Sequence, residues 1–212
     1  MSNGLVVFAR EPVPGRVKTR LAATIGDVAA AKAYAAMLVD VLNTCRKLTD
    51  LETVVYWDCE DDSLPLLADR YGCVSRRQSG GVLGQRMQAA FAEMFASGFN
   101  TCCIIGSDAP DLPVSYIQEA FHLLAAQHCD AVFGPTHDGG YYLLGLSRLW
   151  PQLFTDIGWS TPHVLQQSLT AAGRTGIKAI LLPRWYDIDT QYDLEKFQAR
   201  NRIKTQAQTG AL

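Results

Sequence analysis

Apolar residues recur along this chain in two kinds of run. Short unbroken stretches, GLVVFA (4–9), TVVYWDC (53–59), TCCIIGSD (101–108) and DAVFGPT (130–136), have the length and β-branched content of strands buried on both faces. GGYYLLGL (139–146) and the start of IKAILLPRWYDIDT (177–190) also read as strands, and CVSRRQ (73–78) as a brief one. Longer stretches with apolar positions three and four apart read as helices: DVAAAKAYAAMLVDVLNTCRKL (27–48), LGQRMQAAFAEMFASG (83–98), VSYIQEAFHLLAAQH (114–128), TPHVLQQSLTAAG (161–173) and QYDLEKFQARNRI (191–203). DSLPLLADRYG supplies a shorter helix. Asp27 is the expected N-cap of the first long helix and Gly98 the expected C-cap of the second.

Strands alternate with helices of crossover length, which predicts an α/β fold, an α/β/α sandwich with a mostly parallel mixed sheet. The two runs after Asp130 have no helix between them, so an antiparallel strand is expected there. No repeat or linker interrupts the pattern. A single domain over 1–204 follows, with 205–212 as a flexible tail.

In open α/β sheets, ligands bind beyond the carboxyl ends of the strands. The segments there are rich in reactive side chains. FAREPVPGRVKTRLAATIG (8–26) follows the first strand and holds two prolines, two glycines, four cations and one acid. Pro12, Pro14 and Gly15 shape it; Arg10, Arg16, Lys18, Thr19 and Arg20 suit a phosphate cradle ahead of a helix. It matches neither the Walker loop nor the dinucleotide fingerprint.

GSDAPDL places Asp108 at the end of the central strand, with Asp111 read as a helix cap. In YDIDT, Asp187 and Asp189 are two apart and face one side of an extended chain. Like charges held that close raise one carboxyl's pKa unless a cation lies between them. If the sheet brings Asp108 alongside, these three carboxylates suit a hard divalent ion, Mg²⁺ or Mn²⁺. The alternative for YDIDT is a turn before a helix capped by Asp189 or Thr190. In THDGGYY, Gly139 and Gly140 permit close backbone approach. Asp138, with His137, is a candidate base or substrate hook, and Tyr141 and Tyr142 offer rings and hydroxyls. A glycine-rich hairpin accounts for much of the same stretch. Ser160 or Thr161 is expected to cap the helix after Trp159.

Composition narrows the classes. The chain has 212 residues, 48% apolar and 19% charged, with net charge -2, which argues against a nucleic-acid partner. No signal peptide and no membrane span is expected. The six cysteines form no C-x-x-C pair and read as small buried hydrophobes of a reducing cytoplasm. G-x-S-x-G is absent, so covalent hydrolysis is disfavoured.

Taken together, FAREPVPGRVKTRL, GSDAPDL, GPTHDGGYYLLGL, WSTPHVL and DIDTQYDL resemble the nucleotide-diphospho-sugar transferase superfamily of GT-A-like fold, in particular bacterial proteins of the arsenosugar-biosynthesis glycosyltransferase type. More distantly, K-T-R-L at Lys18–Leu21, Asp108 and the late D-I-D-T resemble phospholactate guanylyltransferases and molybdenum-cofactor nucleotidyltransferases. The glycosyltransferase D-x-D after the central strand is not matched, since position 106 is Gly and only Asp108 fits. The resemblance implies a transferase using a nucleotide or nucleotide-sugar donor and a small-molecule acceptor. Lys18, Asp108 and Asp138 would be catalytic, Arg10, Pro14, Gly15, Lys18, Thr19 and Arg20 would bind phosphate, and Asp138, Gly139, Gly140 and Tyr141 the substrate. Asp108, Asp187 and Asp189 would hold the metal. Glycosyl transfer is the first expectation, nucleotidyl transfer with release of pyrophosphate the alternative, and a non-catalytic nucleotide-binding protein the third.

Overall fold

A computed structural model describes residues 2–209. In chain order it contains β1 (Asn3–Arg10), α1 (Thr19–Ile25), α2 (Asp27–Cys45), β2 (Glu52–Asp58), α3 (Leu64–Tyr71), β3 (Val74–Arg77), α4 (Leu83–Ala96), β4 (Thr101–Gly106), α5 (Val114–Ala125), β5 (Ala131–Pro135), β6 (Tyr141–Leu146), α6 (Val164–Arg174), β7 (Ala179–Leu181) and α7 (Gln191–Thr209). The seven strands form one sheet in the order β3-β2-β1-β4-β6-β5-β7. β6 runs antiparallel to both of its neighbours, and all other pairings are parallel. This is the expected mixed α/β/α sandwich, antiparallel strand included.

Period-two alternation divides β1 between two cores. Leu5, Val7 and Ala9 pack with Leu38 and Leu42 of α2 and with Ile117 and Phe121 of α5 on one face. Val6 faces the other way, toward Met87, Phe91 and Met94 of α4. The helices lie on both faces because the strands are apolar on both. α2 is long and apolar enough to cross a bilayer by length and composition, contrary to the sequence expectation. It lies against the sheet instead, with Leu38, Val41 and Leu42 buried. All six cysteines are free; Cys45, Cys102, Cys103 and Cys129 are buried as expected, whereas Cys59 and Cys73, expected to be buried too, are only half-buried.

Several sequence expectations about boundaries are corrected. The basic stretch is not a loop throughout, because TRLAATI coils into α1, whose Leu21 and Ala22 pack on Ala30 of α2. Gly26, at φ 85°, caps α2, and Asp27 is its first residue. Ser97 caps α4, with Gly98 just beyond it at φ 93°. Neither Ser160 nor Thr161 caps α6; its N-cap is His163. The last strand stops at Leu181, and 182–190 continue as a strap without regular structure. α7 extends past the expected end at 203 as far as Thr209; the last three residues of the expected tail, 210–212, lie outside the described residues.

The topology sets up the site. From β1 the chain steps outward to β2 and β3, then returns to place β4 on the other side of β1. The carboxyl ends of β1 and β4 are therefore neighbours at a switch point, where a crevice opens in folds of this kind. Because β6 is reversed, its start pairs with the end of β5, Tyr141 opposite Pro135, at the same edge.

Candidate active site

A cleft of about 720 Å³ lies over this edge. The segments after β1, β4, β5 and β7 line it, as the strand-end rule anticipates. Lys18 occupies its floor in a left-handed backbone conformation (φ 48°, ψ 46°), immediately before α1. This conformation is uncommon for a side chain with a Cβ. It sends the ammonium inward, to 2.6 Å from Asp108 Oδ1 and 2.9 Å from Asp189 Oδ1. The lysine side chain is only 5% exposed, whereas each carboxylate is 41% exposed. Burial alone would lower the Lys18 pKa, but Asp108 and Asp189 outweigh it and hold the ammonium above its ordinary value.

The late acids reach the cleft by a simple device. Ile188, between them, is fully buried against Val17, Ala31, Tyr34 and Met37. Its amide donates to the Asp108 carbonyl at 2.9 Å. With the middle residue turned into the core, its two neighbours turn toward the cleft. Upstream, the Trp185 amide donates to the Pro135 carbonyl at 3.0 Å and the Tyr142 hydroxyl to the Pro183 carbonyl at 3.0 Å. Downstream, Asp193 Oδ2 accepts from the Thr190 amide at 2.9 Å, from its hydroxyl at 2.6 Å and from the Asp189 amide at 3.3 Å. Thr190 accepts in return from the Asp193 amide at 3.3 Å, a reciprocal cap on α7. The turn-and-cap reading of YDIDT therefore holds, with Thr190 in the cap and both aspartates in the cleft lining.

Asp187 carries the clearest electrostatic signature. Desolvation, then the charges of Asp108 and Asp189, and last Asp138, push its carboxyl up to about 7, against the opposing pull of Lys18. Three carboxylates thus act on a fourth, and two of them hold the buried ammonium. Lys18 lies between Asp108 and Asp189, while Asp187, expected to share a cation with Asp189, makes no ion pair with it. Among the described residues, no three His, Cys, Asp or Glu side chains are grouped as a ready metal site.

Other expected site residues are placed unevenly. Arg10, Thr19 and Arg20 line the cleft. Arg20 Nη1 stands 3.7 Å from Asp189 Oδ2, and Arg10 Nε 3.7 Å from Asp58 Oδ2. Pro14 and Gly15 shape the turn (Gly15 at φ 79°) but lie outside the cleft lining, and Arg16 turns to Glu60 at 3.8 Å. Asp138 lines the cleft; its Oδ1 accepts from the Thr136 hydroxyl and, at 3.2 Å, from the Gly140 amide. Gly139 lies outside the lining; at φ 92° a Cβ would strike the Pro162 carbonyl oxygen. Gly139 thereby lets the 158–164 segment close over the hairpin. Tyr141 lines the cleft, but its hydroxyl is buried beside Ser168, and the Tyr142 hydroxyl is engaged by Pro183, so neither is offered to a ligand. Asp111 is not a cap: it accepts from the Tyr186 hydroxyl, and Pro113 precedes α5.

Sequence reasoning missed three contributors. The Tyr34 hydroxyl accepts from the Arg10 amide at 2.8 Å and shares a hydrogen with Ser107 Oγ at 2.8 Å, joining the ends of β1 and β4 directly beneath the site. Nothing in an Ala-rich helix marks it. Asp58, at the carboxyl end of β2, accepts from Arg86 Nη1 at 2.9 Å, and the strand-end rule would have found it. Gln78 donates to the Ala9 and Tyr56 carbonyls at 3.2 and 2.9 Å.

Comparison with known proteins agrees with this architecture. Residues 41–161 match the profile of a family described as "Uncharacterized protein conserved in bacteria (DUF2064)". No curated protein sequence matches the chain. Among solved structures, a candidate nucleotide-diphospho-sugar transferase from Desulfovibrio desulfuricans G20 is 33% identical, covers 92% of this chain and 85% of its own, and superposes with a TM-score of 0.85. The 4-diphosphocytidyl-2C-methyl-D-erythritol synthase of Anaerococcus prevotii DSM 20548 is 10% identical, with coverage of 95% and 99% and a TM-score of 0.64. Glucosyl-3-phosphoglycerate synthase of Mycobacterium tuberculosis, in complex with Mn²⁺, UDP and glucosyl-3-phosphoglycerate, is 12% identical, with coverage of 88% and 70% and a TM-score of 0.55. The last two share the fold. The architecture is that of the nucleotide-diphospho-sugar transferases.

Proposed function

The chain belongs to the DUF2064 family of bacterial proteins, and from that footing we propose that it transfers a glycosyl group from a nucleotide sugar to a small acceptor. The observation that carries this reading is the Lys18 ammonium held between Asp108 and Asp189 at the switch point of the sheet. A buried cation on the floor of such a crevice, with Arg10 and Arg20 also in the lining, is placed to receive a diphosphate. Glycosyl transfer is preferred to nucleotidyl transfer because the neighbour at 33% identity is described as a nucleotide-diphospho-sugar transferase. The cytidylyl enzyme, at 10% identity, shares the fold alone.

The reaction asks two things of these residues. As the acceptor oxygen bonds to the anomeric carbon, the bond from that carbon to the diphosphate oxygen breaks, and negative charge grows on the departing nucleoside diphosphate. Lys18, with Arg10 and Arg20, stabilises that charge; a well-placed group of this kind is worth about 3–4 kcal/mol. The acceptor hydroxyl also has to lose its proton. Asp138 is the base for it, with Oδ1 oriented by Thr136 and Gly140 and Oδ2 left to take the proton.

A divalent cation fits the chemistry of the donor set. Asp108, Asp187 and Asp189 offer hard carboxylate oxygens, and the charges of Asp108 and Asp189 add to burial in raising the Asp187 carboxyl. Those three residues would hold it, and when bound it would supply positive charge against the donor's phosphates. The resemblance to arsenosugar-type glycosyltransferases rests on the same segments.

The second reading, nucleotidyl transfer, is favoured by one observation: four cations within eleven residues (Arg10, Arg16, Lys18 and Arg20) suit a triphosphate. Product analysis separates the two. With Mn²⁺ and a panel of nucleotide sugars or nucleoside triphosphates, glycosyl transfer releases a nucleoside diphosphate. Pyrophosphate release would replace this reading with the second.

A further inference from the structure

The cleft is electrically lopsided. Its lining contains four cationic side chains, Arg10, Lys18, Arg20 and Arg86, and all come from the β1–α1 segment or from α4. Another part of the lining, the hairpin wall, is built from the β5–β6 hairpin and the 159–164 segment. Among the described residues that line this wall there is no Lys, Arg or His, and Asp138 is its charged member. His137 and His163, the nearest histidines in sequence, lie outside the lining. Ser160, Thr161 and Thr136 supply hydroxyls, and Ser160 is held at φ 63°. Trp159 supplies an apolar plate, its indole lying so close to α4 that a Cβ on Gly84 would overlap it.

A phosphate ester bound against Asp138 would meet a carboxylate, and neither the hairpin nor the 159–164 segment lends the lining a cation to offset it. A neutral polyhydroxy compound would find hydroxyl partners, a carboxylate acceptor of hydrogen bonds and an aromatic face for its C–H surface, the combination that binds uncharged sugars and polyols. We propose that the acceptor is an uncharged, hydroxyl-bearing small molecule, a sugar or polyol without a phosphate group. The proposal deepens the glycosyl-transfer reading and rests on it. It assigns the phosphate contacts of the cleft to the donor alone.

The test uses the full chain with Mn²⁺ and matched acceptor pairs: glycerol against glycerol 3-phosphate, glucose against glucose 6-phosphate, and mannitol against mannitol 1-phosphate. Donor binding is first established for uridine, guanosine and cytidine diphosphate sugars by saturation-transfer NMR. With the donor that binds, nucleoside diphosphate release should be at least tenfold faster in kcat/KM for the neutral member of a pair. Thr161→Arg, which adds a cation to the bare wall, should shift that preference toward the phosphate ester by tenfold or more while leaving donor saturation transfer unchanged. Equal or better use of the phosphate ester by the wild-type chain overturns the acceptor assignment and leaves the donor reading intact. Absence of binding by any nucleotide sugar overturns the glycosyl-transfer reading, and the acceptor assignment with it.

Discussion

The Ile188 amide donates to the Asp108 carbonyl across 2.9 Å, so the last acidic segment of the site is fastened by its backbone to the central strand's end. The Ile188 side chain, fully buried beside Tyr34 and Met37, fixes the rotation about that bond, and with it the direction of Asp187 and Asp189. Replacing a buried isoleucine by alanine costs about 2–5 kcal/mol, and by valine about 0.5–1.5 kcal/mol. Ile188→Ala should therefore lower the urea midpoint markedly and lose most transferase turnover. Ile188→Val should keep both near wild type. Equal turnover in Ile188→Ala, measured well below its unfolding transition, would show that the strap is held by its ends and not by this peg.

Lys18 is expected to be intolerant even of a charge-conserving change. Its compact ammonium meets two carboxylates at 2.6 and 2.9 Å in a pocket that leaves the side chain 5% exposed, which a planar guanidinium does not match. Lys18→Met and Lys18→Arg should each reduce nucleoside diphosphate release by two to three orders of magnitude, the scale of losing one preorganised charge. Near-normal rates in Lys18→Arg would mean that any cation there suffices.

Asp108→Asn preserves the shape of the side chain while removing one of the charges that act on Asp187. The variant should fold with a near-native circular dichroism spectrum yet lose at least 100-fold in metal-dependent turnover. Asp138→Asn should lose rate at saturating donor while leaving the KM for the nucleotide sugar unchanged, as expected of a base on the acceptor side. A raised donor KM in Asp138→Asn would instead place that residue on the donor.

The pH dependence follows from Asp187. Its folded-state pKa, about 7, lies above the ordinary aspartate value of 3.8, so the folded protein binds the extra proton. The stability this group contributes is full below the unfolded pKa and is lost as pH rises through about 7. In a chelator, the melting temperature should fall between pH 6 and pH 8. Addition of Mn²⁺ should raise it more at pH 8, where the carboxylates compete for cations, than at pH 6. A melting temperature indifferent to Mn²⁺ at both pH values would argue against a divalent cation at these carboxylates.

The Tyr34 hydroxyl links the Arg10 amide and Ser107 in a buried position. Removing it strands a buried donor, at a cost of about 1–3 kcal/mol. Tyr34→Phe should be destabilised by that amount in chemical denaturation and lose turnover through misplacement of β1 against β4. A neutral effect on both would mean that Ser107 takes over the Arg10 amide.

Much of this was legible in the chain, for reasons particular to each residue. The strands announced themselves because a sheet covered on both faces must be apolar along its whole length, as in VVF and CCII. Once an open α/β sheet was expected, its strand ends pointed to Lys18, Asp108, Asp138 and the Asp187/Asp189 pair, all of which line the cleft. What escaped were relations that no local pattern encodes. Tyr34 belongs to the site through a hydroxyl reaching across two strands, though its helix reads as core. Tyr141 and Tyr142 looked like ligand-facing hydroxyls, but β6 is buried along its length and turns one toward Ser168 and the other toward Pro183. α1 was hidden because the prolines and glycines ahead of it obscured a short helical run. The caps were misread by a residue or two, since Gly26 and His163 carry no side-chain capping bond to betray them.

The ion pair between Lys18 and Asp189 spans 171 positions of sequence. Contacts that distant form only after nearly all of the intervening loop entropy has been overcome, so they belong to the late part of folding. While the chain is being synthesised, Lys18 and Arg20 emerge early and remain without Asp189 until the last segment has left the ribosome. The nascent protein therefore carries a basic segment but no assembled charge cluster, and the ability to transfer a group arrives all at once, with the closing of the fold's last strap.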